Sequence, residues 1–173
     1  LIAASGLVAT AAHVIRDAVR VTIGLGDVEA KIIAVDEKTD TALLHLPAEA
    51  VSGYEPLPLG QSWDVCAPSE LLAVGYQNWK PGDPFIVRVH VSRNMRDKPK
   101  FFEVGGGLDR GTSGGPLIDP SQGAVIGLVS GGAGSTTKMI ARIEQLRRLL
   151  EKQGHGNKHQ EHGRAGIDPE QGV

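Results

Sequence analysis

Gly111-Thr112-Ser113-Gly114-Gly115-Pro116 sets one hydroxyl nucleophile candidate among glycines. A serine hydroxyl becomes a useful nucleophile when a positioned imidazole takes its proton, and the acyl intermediate needs backbone N–H groups close to a developing oxyanion. Glycines permit both the tight turn and the close approach. The imidazole candidate stands far upstream, in Thr10-Ala11-Ala12-His13, at the end of the first apolar run, where small neighbours leave room for a substrate. The third member of such a set is a carboxylate, and Asp36 to Leu44 (DEKTDTALL) offers two. Asp40 stands at the mouth of the apolar run Ala42 to Leu46, where a buried carboxylate reaches the second imidazole nitrogen. Asp36 lies in a charged turn and reads as solvated.

The order His13, Asp40, Ser113 separates two fold classes. Gly111 to Gly115 also fits the G-x-S-x-G pattern of a nucleophile elbow, but an α/β-hydrolase places its acid and histidine after the serine. Beyond Ser113 there is only Asp119, in a Pro-Ser-Gln-Gly turn, and histidines in a polar tail. No βαβ alternation precedes the motif either. Histidine, then aspartate, then serine is the chymotrypsin order.

Three separated motifs carry a more specific likeness: Gly6 to Val14 (GLVATAAHV), Asp40 to Leu44 (DTALL) and Asp109 to Ile118 (DRGTSGGPLI). In residues and in order they resemble the trypsin-like serine protease domain of the bacterial HtrA (Deg) type, or a related stand-alone bacterial trypsin-like peptidase. A looser similarity runs over roughly residues 1 to 150. The resemblance implies an all-β fold of two packed antiparallel six-stranded barrels, one over about residues 1–60 and one over about 65–141. A C-terminal helix over about 142–152 completes a protease domain of residues 1–152. It further implies serine endopeptidase chemistry through a His13, Asp40 and Ser113 triad, acting on a protein or peptide substrate. An oxyanion hole would come from the backbone N–H groups of Gly111 and Ser113, and Ser130 would hydrogen-bond Asp40.

By the same resemblance the primary specificity pocket takes its walls from Gly107 to Arg110 and from Ser130 to Gly132. Gly107 stands where trypsin carries its pocket aspartate, so selectivity for Lys or Arg is not expected. Leu108 suggests an apolar lining, and Gly131 and Gly132 leave the opposite wall open. Uncharged, small to medium apolar side chains are therefore expected at the cleaved bond. Asp109 reads as structural or solvated, because a buried unpaired charge is costly. Thr112 replaces the aspartate that, in the digestive relatives, pairs with a newly cut N-terminal ammonium. Ordering of the oxyanion loop is then expected from other contacts, from a partner domain or subunit, or from substrate. The alternative reading is a latent or inactive peptide-binding, chaperone-like module on the same fold, against which the intact triad argues.

Composition is compatible with this reading. A chain of 173 residues can bury a core of one to two small domains. The single Cys66 rules out an internal disulfide and reads as a packed small hydrophobe. A net charge of -2 with scattered basic residues makes no case for nucleic acid. The stretch Arg93 to Lys100 (RNMRDKPK) lacks interleaved aromatics and reads as a solvated loop. No apolar run reaches the length of a membrane span, and no signal peptide is visible. HtrA proteins commonly carry a PDZ or other domain, so an additional domain outside this chain is compatible with the resemblance; the motifs encode neither oligomeric state nor compartment.

Strands are expected at Leu7 to Thr10, Val19 to Ile23, Val28 to Val35, Thr41 to Leu46, Leu71 to Gly75, Phe85 to Val91, Phe101 to Val104, Pro116 to Ile118 and Ala124 to Val129. A join between halves is expected around Tyr54 to Ser69, and one helix where Ile143, Leu146, Leu149 and Leu150 recur at helical spacing. Gly131 to Lys138 (GGAGSTTK) resembles a phosphate loop, but its lysine is misplaced and no helix follows, so a glycine-rich cleft edge is expected. Residues 153–173 read as a disordered tail. His155, His159 and His162 have metal-binding spacing only on a helix that Gly154, Gly156 and Gly163 disfavour. No metal or other cofactor is expected.

Overall fold

The β-branched and apolar runs, punctuated by glycine, proline and aspartate, form short antiparallel strands. The computed structural model describes residues 1–24, 28–76, 84–108, 111–131 and 136–155. In chain order the elements are β1 (Leu7–Thr10), α1 (Ala12–Ile15), β2 (Thr22–Ile23), β3 (Val28–Glu29), β4 (Lys31–Asp36), β5 (Thr41–His45), β6 (Glu70–Gly75), β7 (Phe85–Asn94), β8 (Phe101–Gly105), β9 (Pro116–Asp119), β10 (Ala124–Val129), β11 (Thr137–Arg142) and α2 (Ile143–Lys152).

Strands β6 to β11 close into a six-stranded barrel in the order β10-β11-β8-β7-β6-β9. Inward residues from every strand, among them Leu71, Val91, Phe102, Leu117, Ile126 and Ile140, share one core. Closure pairs every strand and leaves no free edge there.

The N-terminal half differs from the six-stranded barrel expected over about residues 1–60. Among the described residues it forms a three-stranded sheet, ordered β1-β5-β4, and a separate two-stranded ribbon of β2 and β3. The ribbon strands have two residues each. One face of the three-stranded sheet buries Ala42, Leu44 and Leu46 with Ile15, Ala30 and Val51.

Helix α2 joins the halves. Its recurring apolar residues Ile143, Leu146, Leu149 and Leu150 pack against Leu7 and Leu43 of the sheet and against Val125 and Leu128 of the barrel. The guanidinium of Arg147 donates to the carbonyls of Leu59 (2.6 Å) and Gly60 (3.1 Å), pinning the connecting segment to the helix.

Two further points depart from expectation. Cys66 is exposed rather than packed, because the neighbouring Val65 takes the inward position. Strand β11 (Thr137–Arg142) was not among the expected strands and overlaps the expected glycine-rich edge only at Thr137 and Lys138. Its last residue, Arg142, is buried and hides the strand pattern. That guanidinium donates to the carbonyl and hydroxyl of Ser62 and to Asn94 Oδ1 (2.8 Å), and lies against the Phe102 ring (5.1 Å to its centroid). Burial pulls its pKa below the ordinary guanidinium value, opposed by the nearby Glu144 carboxylate.

Candidate active site

The site is assembled from both halves. His13 lies in the single turn of α1, directly after β1. Asp40 lies in the turn between β4 and β5, which is closed by Thr39 N–H donating to the Asp36 carbonyl (3.3 Å) and by Lys38 N–H donating to Asp36 Oδ1 (3.0 Å). Antiparallel pairing of β1 with β5, with Thr10 opposite Ala42, brings these two turns to the same end of the sheet.

Asp40 holds His13 twice. Its Oδ1 accepts the His13 backbone N–H (2.9 Å) and its Oδ2 contacts His13 Nδ1 (2.7 Å). The Ser130 hydroxyl donates to the same Oδ2. Ser130, buried at the end of β10, is fixed by its own N–H donating to the Met139 carbonyl (2.9 Å). The side chains of His13 and Asp40 are 31% and 15% exposed, so the imidazole reaches solvent while the carboxylate is largely covered. With Nδ1 engaged by a carboxylate, Nε2 is the nitrogen left for a substrate-side proton.

Ser113 lies in a tight turn built on glycine. Gly115 N–H donates to the Thr112 carbonyl (2.9 Å), and Gly114 between them has φ +78°, the left-handed third position that a type II turn requires. Gly114 N–H donates to the Val129 carbonyl (2.7 Å), one residue before Ser130. A Cβ at Gly114 would lie 2.3 Å from Thr10 Oγ1 and 3.1 Å from the Ala11 nitrogen. The serine turn is thus packed directly against the segment that carries His13. Gly111 has φ +98°, and its carbonyl accepts the N–H of Tyr76 (3.2 Å). Thr112 is buried, 1% exposed.

The remaining expected residues are more scattered. Gly107, at φ +74°, and Gly131 border open space, with nothing within 4 Å of where a Cβ would stand. Leu108 is buried and packs with the barrel core. Gly132, Asp109, Arg110 and the segment from residue 156 onward, including His159 and His162, lie outside the described residues. Among the described residues no three His, Cys, Asp or Glu side chains gather into a metal-binding group, and no helix is long and apolar enough to cross a membrane. Sequence reading did not single out Gly75 and Tyr76, which back the serine loop. Their signal is the glycine that ends the run Leu71 to Gly75, legible only once its facing segment is known.

The fold and these residues have counterparts elsewhere. A family model described as a trypsin-like peptidase domain matches residues 1–128. The mitochondrial serine protease HTRA2 of Bos taurus is 29% identical over 169 residues, 88% of this chain and 35% of that protein. A probable periplasmic serine endoprotease DegP-like of Ectopseudomonas mendocina is 31% identical over 143 residues, 75% of this chain and 28% of that protein. The chain thus spans about a third or less of the length of these curated relatives. Two solved structures share the fold. The HtrA-type protease AlgW with a decapeptide has a TM-score of 0.73 at 22% identity, covering 90% of this chain and 51% of that one. The Rv3671c protease of M. tuberculosis in its active form has a TM-score of 0.69 at 24% identity, covering 89% of this chain and 71% of that one. With a matched family model that runs from Leu1 into β10, this chain belongs to the trypsin-like peptidase family, and the curated relatives it is similar to are of HtrA and DegP-like type.

Proposed function

We propose that this chain is the peptidase domain of a serine endopeptidase, with His13, Asp40 and Ser113 as its triad. The observation that carries the reading is the doubly bonded His13–Asp40 pair, completed by Ser130, with the Ser113 turn packed against the strand end that leads to His13. Ser113 Oγ attacks the scissile carbonyl carbon while His13 Nε2 takes the hydroxyl proton. Asp40 fixes the imidazole tautomer and stabilises the imidazolium. Collapse of the tetrahedral adduct breaks the C–N bond, and His13 returns the proton to the leaving amine. Water, deprotonated by His13, then hydrolyses the acyl-enzyme and frees Ser113. The N–H groups of Gly111 and Ser113 serve as the oxyanion hole in this scheme.

The domain takes residues 1–152, with the N-terminal sheet and ribbon standing as the counterpart of the first barrel. The cleaved bond follows an uncharged, small to medium apolar side chain. Open space at Gly107 and Gly131 leaves room for a side chain there, and the resemblance puts Gly107 where trypsin has its acid, which supports an uncharged residue.

The test is digestion of unfolded casein by this chain beside its Ser113→Ala variant, with mass spectrometry of the products and fluorophosphonate labelling of the serine. Cleavage and labelling in the parent alone, with cuts after apolar residues, is the expected result. Loss of turnover in Ser113→Ala should be on the order of 10⁴-fold or more. No labelling of the parent would leave a peptide-binding module on a protease fold.

A further inference from the structure

Thr112 carries no charge with which to order the oxyanion loop through an N-terminal ammonium, so the loop needs another support. The last residues of β6 provide one, backbone against backbone. A Cβ at Gly115 would lie 2.3 Å from the Val74 carbonyl oxygen. A Cβ at Gly75 would lie 2.9 Å from Thr112 Cα, 3.0 Å from Thr112 Cγ2 and 3.1 Å from the Gly111 carbonyl oxygen. The next N–H, that of Tyr76 just past the end of β6, donates to that same Gly111 carbonyl (3.2 Å). Glycines on two facing segments therefore let the end of β6 lie flat on the loop. The Tyr76 N–H fixes the Gly111–Thr112 peptide at its carbonyl.

We propose that Gly75 is a positioning residue for the oxyanion loop, the absence of its side chain letting Tyr76 N–H hold the peptide between the two residues whose N–H groups form the hole. Gly75 sits in a strand and needs no left-handed backbone, so its requirement is space. Besides Thr112 Cγ2, the atoms it faces are the Cα of Thr112 and the carbonyl of Gly111, main-chain atoms that cannot rotate away as a flexible side-chain end does. An added methyl forces Thr112 and the Gly111 carbonyl to give by a few tenths of an ångström relative to β6. That lengthens the Tyr76–Gly111 bond and turns the peptides on either side of Thr112. Donors preorganised toward a developing charge lose their worth when misaimed.

This inference rests on the reading under Proposed function, and its test separates the two. Gly75→Ala is compared with the parent chain in four measurements: kcat and KM on a peptide substrate, affinity per active site for a peptide boronate, affinity for the cleaved product peptide, and amide hydrogen exchange across residues 111–117. The expected result is a kcat lower by about 10²-fold, the size of one lost oxyanion donor, with KM nearly unchanged. Boronate affinity falls in step with kcat, product affinity is retained, and exchange quickens in residues 111–117 but not in α2. A merely destabilised protein would have fewer sites of unchanged boronate affinity, so that readout isolates positioning from folding. Tyr76→Pro removes the N–H donor without adding bulk at residue 75. It carries the same expectation and replaces Gly75→Ala if that variant does not fold. Parent-like boronate affinity together with parent-like exchange in the variant overturns the proposal. If the parent takes neither boronate nor fluorophosphonate, the protease reading fails, and exchange across residues 111–117 still decides whether Gly75 holds the loop.

Discussion

Asp40 adopts φ +51°, a left-handed conformation that short polar side chains tolerate and most residues do not. From it the carboxylate meets three donors at once: the His13 N–H, His13 Nδ1 and the Ser130 hydroxyl. Asp40→Asn keeps the backbone preference and the side-chain shape but replaces one acceptor oxygen with an NH₂. Either the amide faces His13 Nδ1 and selects the wrong tautomer, or it turns round and forfeits the bond to the His13 N–H. Under the proposed mechanism kcat is expected to fall by about 10⁴-fold, with a thermal midpoint close to the parent's. A midpoint far below the parent's would instead make Asp40 a structural residue of the turn. At this scale the sequence made two side-chain meetings readable. His13 and Asp40 meet as their motifs suggested, and the Ser130 bond matches what the resemblance implied. Gly75 was not readable, because a glycine needed for clearance shows its reason only through the atoms opposite it.

Elements are held by short polar connections as much as by strand pairing. The turn from β9 to β10 is an example: Asp119 Oδ1 accepts the N–H (2.9 Å) and the hydroxyl (2.7 Å) of Ser121, and Oδ2 accepts Gln122 Nε2 (2.8 Å). Gln122 in turn bonds the Gln61 backbone, tying the turn to the segment between the halves. Burial of Asp119 opposes its ionisation, but the hydrogen bonds from Ser121 and Gln122 outweigh it and hold its pKa below the ordinary carboxylate value. A depressed folded pKa means stabilisation that is present above the unfolded value, about 3.9, and is lost as pH falls through the folded one. Asp119→Ala should therefore lower the urea midpoint at pH 7, and the gap between variant and parent should narrow by about pH 3. An equal gap at both values would remove the charge from the account. Most strands bounded by glycine, proline or aspartate were legible from pattern, but the expected Val19 to Ile23 shrinks to Thr22–Ile23, and the expected Val28 to Val35 divides into β3 and β4. Strand β11 was not legible, because a buried arginine, satisfied by Ser62 and Asn94, occupies a position that the hydrophobic pattern assigns to an apolar residue.

On the scale of the whole molecule, His13 and Asp40 belong to the N-terminal sheet, whereas Ser113 and Ser130 belong to the barrel, so the site exists only while the halves stay docked. The closed barrel and one face of the N-terminal sheet each contain a core of their own, and α2 fills the gap between the two halves with Ile143, Leu146, Leu149 and Leu150. Leu146 is 1% exposed, at the centre of that contact. Leu146→Ala removes the apolar area that both halves share and leaves a cavity that neither can collapse alone, at a cost of about 3 kcal/mol. With a urea slope of about 2 kcal/mol/M, the midpoint falls by about 1.5 M. Because docking brings together the residues of the proposed triad, fluorophosphonate labelling of Ser113 should disappear at the same urea concentration as the far-UV circular dichroism signal. If labelling vanished while the strand signal persisted, the halves would be separating before they unfold, and α2 would be a hinge between two stable units. Coincident loss means that α2, although it lies outside both strand systems, is what makes one active unit of them.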